Sequence, residues 1–228
     1  MGETIQSFWI EGELTRHQLL TLHSFLRHGH EFVLFAYDPP IGLPSAVAVR
    51  DLNEFVPRAD VFHYKRLGHE RRLGGISERV KAELLYHLGG WHVDMDVTCL
   101  RPFEMTAEFV LRPHRRLVVA NIIKCPARSE LARIYRDGAR QIDAENGDWE
   151  KSFSGLAEGV RTLGLERFIV DDSLFGRDDG DWPQFLTAGG GTPDSRRYAI
   201  HWCGTYGRYR EAEPGSFYES LLNSYGLA

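Results

Sequence analysis

One run of residues, which begins with helical spacing and must end as a strand, constrains this chain most. Val80, Leu84 and Leu88 recur on one helical stripe, and Gly89-Gly90 then stops the helix. Ser77 is expected to cap this helix, and Gly89 suits the left-handed residue that often ends one. The next seven residues, Trp91-His92-Val93-Asp94-Met95-Asp96-Val97, alternate. In a strand, Trp91, Val93, Met95 and Val97 face one layer, and His92, Asp94 and Asp96 face the other. A helix leading directly into such a strand belongs in a layered α/β domain.

The opening of the chain agrees. Ile5 to Ile10 reads as a buried strand followed by a turn at Gly12. Thr15 can cap a helix whose Leu19, Leu22 and Leu26 face a core, with Gly29 behind it. Glu31 to Tyr37 and Ala46 to Arg50 follow as strands, separated by the Asp38-Pro39-Pro40 turn. Residues 51–75 read as loops around short elements. Further on, Leu117 to Ile123 is a strand whose apolar pattern Asn121 breaks, and Ser129 to Ile142 is a helix through Leu131, Ile134 and Tyr135. A helix within 149–163, a return to the sheet at Arg167 to Val170 and a strand at Tyr198 to Cys203 complete the expected elements. Asp171 to Gly180 reads as a charged loop, and Gly189-Gly190-Gly191 as irregular chain. No domain boundary stands out, so one domain over 1–228 is expected.

Composition excludes several classes. With 228 residues, 43% of them hydrophobic, the chain can bury a substantial core, and disordered or repeat architectures fit poorly. A net charge of -5 gives no reason to expect nucleic-acid binding. The basic cluster Lys65, Arg66, Arg71 and Arg72 reads as a solvated loop. Cys99, Cys125 and Cys203 are too few and too scattered for a disulfide framework, so reduced cysteines and a cytoplasmic location are expected. The N-terminus lacks a signal-peptide pattern, and no run approaches the ~20 apolar residues of a membrane span. Peripheral association at the cytoplasmic membrane face is compatible with a lipid-linked acceptor.

Two carboxylates on one side of a strand repel each other unless water, a cation or hydrogen bonds compensate. A hard divalent ion satisfies them and can bridge a diphosphate; a hydrated strand end is the plain alternative. Asp94-Met95-Asp96-Val97-Thr98 also resembles the nucleophile motif of haloacid-dehalogenase-like phosphohydrolases. There Asp94 would attack phosphorus and Asp96 would act as acid and base with magnesium. Lys124 or Lys151, with Asp171-Asp172 or Asp178-Asp179, would supply the remaining parts. That motif normally lies on a first long apolar strand, unlike here.

The stretch from Ile76 to Phe103 resembles a specific family: the glycosyltransferases whose sugar-binding region contains an Asp-x-Asp motif. The match runs through Ile76-Ser77-Glu78-Arg79-Val80-Lys81, Leu85-Tyr86-His87-Leu88-Gly89-Gly90, Asp94-Met95-Asp96 and Leu100-Arg101-Pro102-Phe103. The family's corresponding pattern is a Ser-Asp helix start, Leu-Tyr-x-x-Gly-Gly, Asp-x-Asp, then Leu-x-Pro-Phe. Weaker resemblance continues at Ile5 to Gly12, at Asn121-Ile122-Ile123 and at Tyr198-Ala199-Ile200-His201-Trp202. This group includes bacterial capsule and lipopolysaccharide transferases and the alpha-1,4-glycosyltransferases.

The resemblance implies a single-domain GT-A-like α/β fold, with a mixed central sheet flanked by helices. It implies a metal-dependent, retaining transfer from a nucleotide-diphosphate sugar, UDP-sugar first among them, to a glycan, glycolipid or other hydroxyl acceptor. It also implies Mn²⁺ or Mg²⁺ as cofactor and polysaccharide synthesis as the pathway class. Asp94 and Asp96 are the implied catalytic pair, with Asp96 and His201 as metal ligands. Trp9, Glu78, Lys81, Asp94 and Asn121 are the implied nucleotide-sugar contacts. From the residues alone, Trp9 reads first as a core aromatic of the opening strand and His201 as an ordinary half-buried histidine near Trp202. Glu78 and Lys81 stand where the family has Asp and Arg, and lysine lacks arginine's bidentate fork. That difference leaves the donor sugar open and keeps a noncatalytic sugar-nucleotide-binding protein as an alternative.

Overall fold

A computed structural model of the chain describes residues 2–65, 73–145, 150–177, 180–203 and 212–228. Arg66, Arg71, Arg72, Asp178 and Asp179 lie outside them, so their proposed loop roles do too. In chain order the strands are β1 (Thr4–Trp9), β2 (Glu31–Ala36), β3 (Val47–Asp51), β4 (Gly90–Val93), β5 (Val97–Cys99), β6 (Val110–His114), β7 (Leu117–Cys125) and β8 (Ala199–His201). The helices are α1 (Arg16–Arg27), α2 (Gly74–Leu88), α3 (Glu130–Ala139), α4 (Glu150–Thr162), the short α5 (Asp172–Phe175) and α6 (Phe217–Ser224).

The main sheet runs β3-β2-β1-β4-β7-β6. Strands β1 to β4 are parallel, β7 is antiparallel to β4, and β6 is antiparallel to β7. A second, two-stranded sheet pairs β5 with β8. Helix α1 covers one face, packing Leu22 and Phe25 with Ile5, Phe32, Leu34, Trp91 and Val93. On the other face, Ile76, Val80 and Leu84 of α2 meet Phe35, and α3 and α4 cover β6 and β7. The result is a mixed α/β fold with a central mixed sheet flanked by helices.

Local chemistry explains the ends of α1. Thr15 and Gln18 form a reciprocal capping box, in which the Thr15 N–H donates to Gln18 Oε1 at 2.9 Å. Gly29 follows with φ +79°. Two expectations fail beside α2. That helix begins at Gly74, so Ser77 lies within it and caps nothing. Gly89 ends it at φ 63°, ψ -154°, outside the left-handed helical region.

The expected Trp91–Val97 strand is interrupted. β4 stops at Val93, and Asp94-Met95-Asp96 forms a turn into β5, closed by Val97 N–H donating to the Asp94 carbonyl at 3.3 Å. The alternation still holds for the apolar face, since Trp91, Val93, Met95 and Val97 share one core cluster. Val110–His114 is a strand not foreseen because Pro113 masks it, and α6, also not foreseen, lies in the tail behind β8. Arg167 to Val170 reaches the sheet edge only through an isolated bridge of Ile169 with Leu111.

The sheet order changes direction at β1 and β4: β2 lies on one side of β1, and β4 on the other. In open α/β sheets the crevice beyond the carboxyl ends of such strands is the usual place for a ligand. Trp9 ends β1, and Asp94 follows the end of β4.

Candidate metal centre and donor crevice

The turn after β4 is pinned by backbone and side-chain hydrogen bonds from three directions. The Asp94 N–H donates to the Asn121 carbonyl on β7 at 2.9 Å, and Thr21 Oγ1 on α1 donates to the Met95 carbonyl at 2.9 Å. Trp202 N–H, just past β8, donates to the Asp96 carbonyl at 2.9 Å. The β5–β8 register sets Val97 opposite His201, which delivers the imidazole to Asp96. His201 Nε2 lies 3.1 Å from Asp96 Oδ1.

Asp94, Asp96 and His201 each offer a ligand atom, and these atoms lie within 4.8 Å of one another. Two carboxylate oxygens and one imidazole nitrogen suit a small divalent ion such as Mn²⁺ or Mg²⁺. All three side chains are partly exposed, at 27%, 17% and 10%, so a ligand can reach them. They form a candidate divalent-cation centre resembling an Asp-x-Asp site.

Behind Asp94 lies a buried chain of charges. Lys81 Nζ contacts Asp94 Oδ1 at 2.8 Å and Glu78 Oε1 at 3.1 Å. Tyr135 Oη on α3 donates to Glu78 Oε2 at 2.5 Å. His92 Nε2 is 3.4 Å from Asp94 Oδ1, and its ring stacks on Phe8 at 5.7 Å. Burial alone would raise the Asp94 carboxyl, but the Lys81 ammonium, with smaller effects from His92 and His201, holds it well below the usual range. Lys81 is opposed by its own burial, yet Asp94 and Glu78 keep it raised and charged. His92 is lowered by its burial, against the opposing pull of Asp94.

Lys81 and Glu78, one turn apart on α2, are therefore an ion pair inside the protein. Tyr135, which read only as a core position, is the member of this chain that sequence reasoning missed. Its removal is measurable. Tyr135→Phe leaves the Glu78 oxygen without its donor and is expected to cost about 1.5–3 kcal/mol, the range for hydrogen bonds to charged groups. Urea unfolding would read this as a lower midpoint at unchanged slope, and an unaltered midpoint would remove Tyr135 from the network.

Asn121 is brought beside His201: its Nδ2 lies 3.0 Å from His201 Nδ1. Buried Arg112 of β6 donates from Nη1 to Asn121 Oδ1 at 2.9 Å. Arg112 was also missed, although an arginine inside Val110-Leu111-Arg112 was the available signal, since arginine is seldom buried unpaired.

Trp9 lies apart from this cluster, in a cavity of about 440 Å³ lined also by Gly12, Tyr37, Pro39, Ile41 and Arg58. Its indole N–H donates to the Gly12 carbonyl at 2.8 Å, and Arg58 sits 5.0 Å over the Tyr37 ring. The pairing of Gln6 with His92 places Phe8 level with Asp94, so cavity and cation centre share the carboxyl edge of adjacent strands.

This architecture has a counterpart among solved structures. The PaToxG glycosyltransferase superposes with a TM-score of 0.53 over 71% of this chain and 68% of its own, at 9% identity. The fold is glycosyltransferase-like. A transferase double mutant matches more loosely, with a TM-score of 0.38, 13% identity and coverage of 73% and 85%. No family model and no curated protein matches the chain. Among the described residues, no helix is long and apolar enough to cross a membrane.

Proposed function

We propose that the chain is a single-domain, GT-A-like glycosyltransferase over residues 1–228. In this reading it moves a sugar from a nucleotide-diphosphate donor, UDP-sugar first, to a hydroxyl acceptor on a glycan or glycolipid. The observation that carries the reading is the convergence of Asp94, Asp96 and His201 at the strand ends next to the Trp9 cavity. The glycosyltransferase-like sheet supports it, as does the linked Glu78–Lys81–Gly89–Gly90–Asp94–Asp96 pattern.

Trp9 and Tyr37 offer aromatic walls for the base, and stacking on such walls is worth ~1–3 kcal/mol per base. Asp96, Asp94 and His201 would hold Mn²⁺ or Mg²⁺ at the strand ends. A bound divalent ion supplies neutralisation of the charge that develops on the leaving diphosphate. Lys81 fixes the Asp94 carboxylate, and through it Glu78 and Tyr135 act on the crevice without lining it. Asn121 borders the cluster from β7, where the donor sugar would sit. Retention of the anomeric configuration follows from the family resemblance.

The test is calorimetric titration of a panel of nucleotide sugars, with and without Mn²⁺, against wild type, Asp96→Asn and Trp9→Ala. One UDP-sugar should bind only with Mn²⁺. Asp96→Asn should abolish that dependence, and Trp9→Ala should weaken binding about 10–100-fold. Folded protein that binds no nucleotide sugar under any metal condition would defeat the reading. Phosphate release from small phosphomonoesters, lost in Asp94→Asn, would point to the phosphohydrolase instead.

A further inference from the structure

The first turn of α1 lies between the two halves of the crevice. Gly12 and Glu13 line the Trp9 cavity, and His17 follows four residues after Glu13. One helical turn further on, Thr21 Oγ1 donates to the Met95 carbonyl, between the two aspartates. Residues at i and i+4 share a helix face, so His17 belongs to the stripe that meets the acidic turn, at its end nearer the cavity. The C-terminal helix holds the ring from behind. Tyr218 of α6 is buried, its ring stacks on His17 with centroids 5.0 Å apart, and its hydroxyl lies 2.9 Å from His17 Nδ1. Tyr218 also meets Trp202 edge to face at 4.9 Å, and the Trp202 N–H holds the Asp96 carbonyl. His17 is thus tied through Thr21 to Met95, and through Tyr218 and Trp202 to Asp96.

The two ring nitrogens have different surroundings. Nδ1 is taken by Tyr218, whereas Nε2, across the ring, has no hydrogen-bond partner among the described residues. The ring is only partly buried, so a ligand can reach it. Burial holds it below the ordinary histidine value, with the Asp96 charge opposing and the Arg16 charge adding. A neutral imidazole carries one N–H and one accepting nitrogen. With the Tyr218 hydroxyl donating to Nδ1, the ring proton sits on Nε2 and is presented to the crevice. An open N–H between a cavity of nucleobase size and a cation centre suits an oxyanion, because hydrogen bonds to charged oxygens are the strong ones. No acidic residue in the first turn of α1 opposes that anion.

We propose that His17 binds the diphosphate of the nucleotide donor, donating its Nε2 proton to a phosphate oxygen, with Tyr218 as the positioning residue that holds the ring. This role rests on the donor-site reading for its ligand. It also gives α6 a part in the site, since Tyr218 reaches His17 only while that helix is docked on α1. Arg27 fastens the far end of the same contact, donating to the Ser224 carbonyl at 3.2 Å and lying 5.0 Å over the Tyr225 ring.

Two amide substitutions separate the ring nitrogens. In His17→Asn the amide nitrogen falls at the place of Nδ1, which keeps a partner for Tyr218 and leaves nothing at Nε2. In His17→Gln it falls at the place of Nε2. Calorimetry with UDP and Mn²⁺, beside thermal melts of the ligand-free proteins, tests the pair. His17→Asn should melt near wild type and bind UDP about 10–100-fold more weakly, as for a lost hydrogen bond to a charged group. His17→Gln should stay within about threefold of wild type in UDP affinity even where its melt falls. A contact that only docks α6 would reverse this order. Uridine, followed by ligand-observed NMR, should bind all three proteins alike. Tyr218→Phe should weaken UDP about 2–10-fold and leave uridine unchanged. Unchanged UDP affinity in His17→Asn, equal UDP losses in the two amide variants, or matching losses of uridine and UDP overturn the proposal while the donor site stands. Folded wild type that binds no UDP with Mn²⁺ defeats the donor-site reading itself, and this role with it.

Discussion

Lys81→Met is expected to lower folding stability by about 3–5 kcal/mol, the cost of leaving buried partners of an ion pair uncompensated. Lys81 is 3% exposed and holds two carboxylates, Glu78 and Asp94, at 3.1 and 2.8 Å. Methionine matches the stem but leaves both acids facing each other without a cation. Domains are stable by about 5–15 kcal/mol, so the loss is a large fraction. Guanidinium unfolding of wild type, Lys81→Met and Lys81→Met with Glu78→Gln would measure it. The double variant should recover part of the loss, because one orphaned charge is gone. A loss under about 1 kcal/mol in the single variant would show that the pairs are not coupled as described.

The pH dependence has a definite sign. Asp94 is held below its ordinary value in the fold, so its contribution is present in full above the unfolded carboxyl value of about 3.9. The contribution is lost as pH falls towards the lower folded value. Lys81→Met removes the main cause of that depression. Below about pH 4 its stability curve should therefore fall less steeply than that of wild type.

Gly89→Ala is expected to be at least as damaging, at about 3–6 kcal/mol from backbone strain and overpacking together. With φ 63° and ψ -154°, Gly89 occupies a region that side chains other than glycine's avoid. A Cβ there would lie 2.2 Å from the Ala127 nitrogen. The Gly89 carbonyl also accepts from Gln6 Nε2 at 2.5 Å, so a shift to relieve the clash would disturb β1. Gly90→Ala is the matched control: φ is +74°, but nothing lies within 4 Å of its Cβ. It should cost only about 1–2 kcal/mol. Thermal melts of the two variants would read the difference, and equal losses would sink the packing argument.

The parts of the fold that were legible in the sequence are those where one local rule dominates. Thr15 caps α1, a helix follows Ser129, and Glu31–Ala36 forms a strand, because capping and apolar runs are decided within a few residues. Ser77 misled because a good cap residue followed Gly74-Gly75, which α2 accepts as its first turn; Gly75 is packed closely by Tyr64 and Ile142. The end of β4 at Val93 was not legible because it depends on Thr21, Asn121 and Trp202, all distant in sequence. At the site, Asp94, Asp96 and His201 were identified as candidates, and the structure brings them together. Tyr135 and Arg112 escaped notice because their significance lies in partners on other elements, Glu78 on α2 and Asn121 on β7.

The pinned turn between β4 and β5 has a consequence for the order of events during synthesis. Its three fasteners sit at positions 21, 121 and 202, so the acidic turn acquires all three only after residue 202 has left the ribosome. Contacts of such long sequence separation form late and slowly. A nascent or truncated chain ending before Trp202 thus carries both aspartates yet lacks the fastener that, together with β8, brings His201 to them. Assembly of the Asp94–Asp96–His201 cluster is thereby tied to completion of the fold.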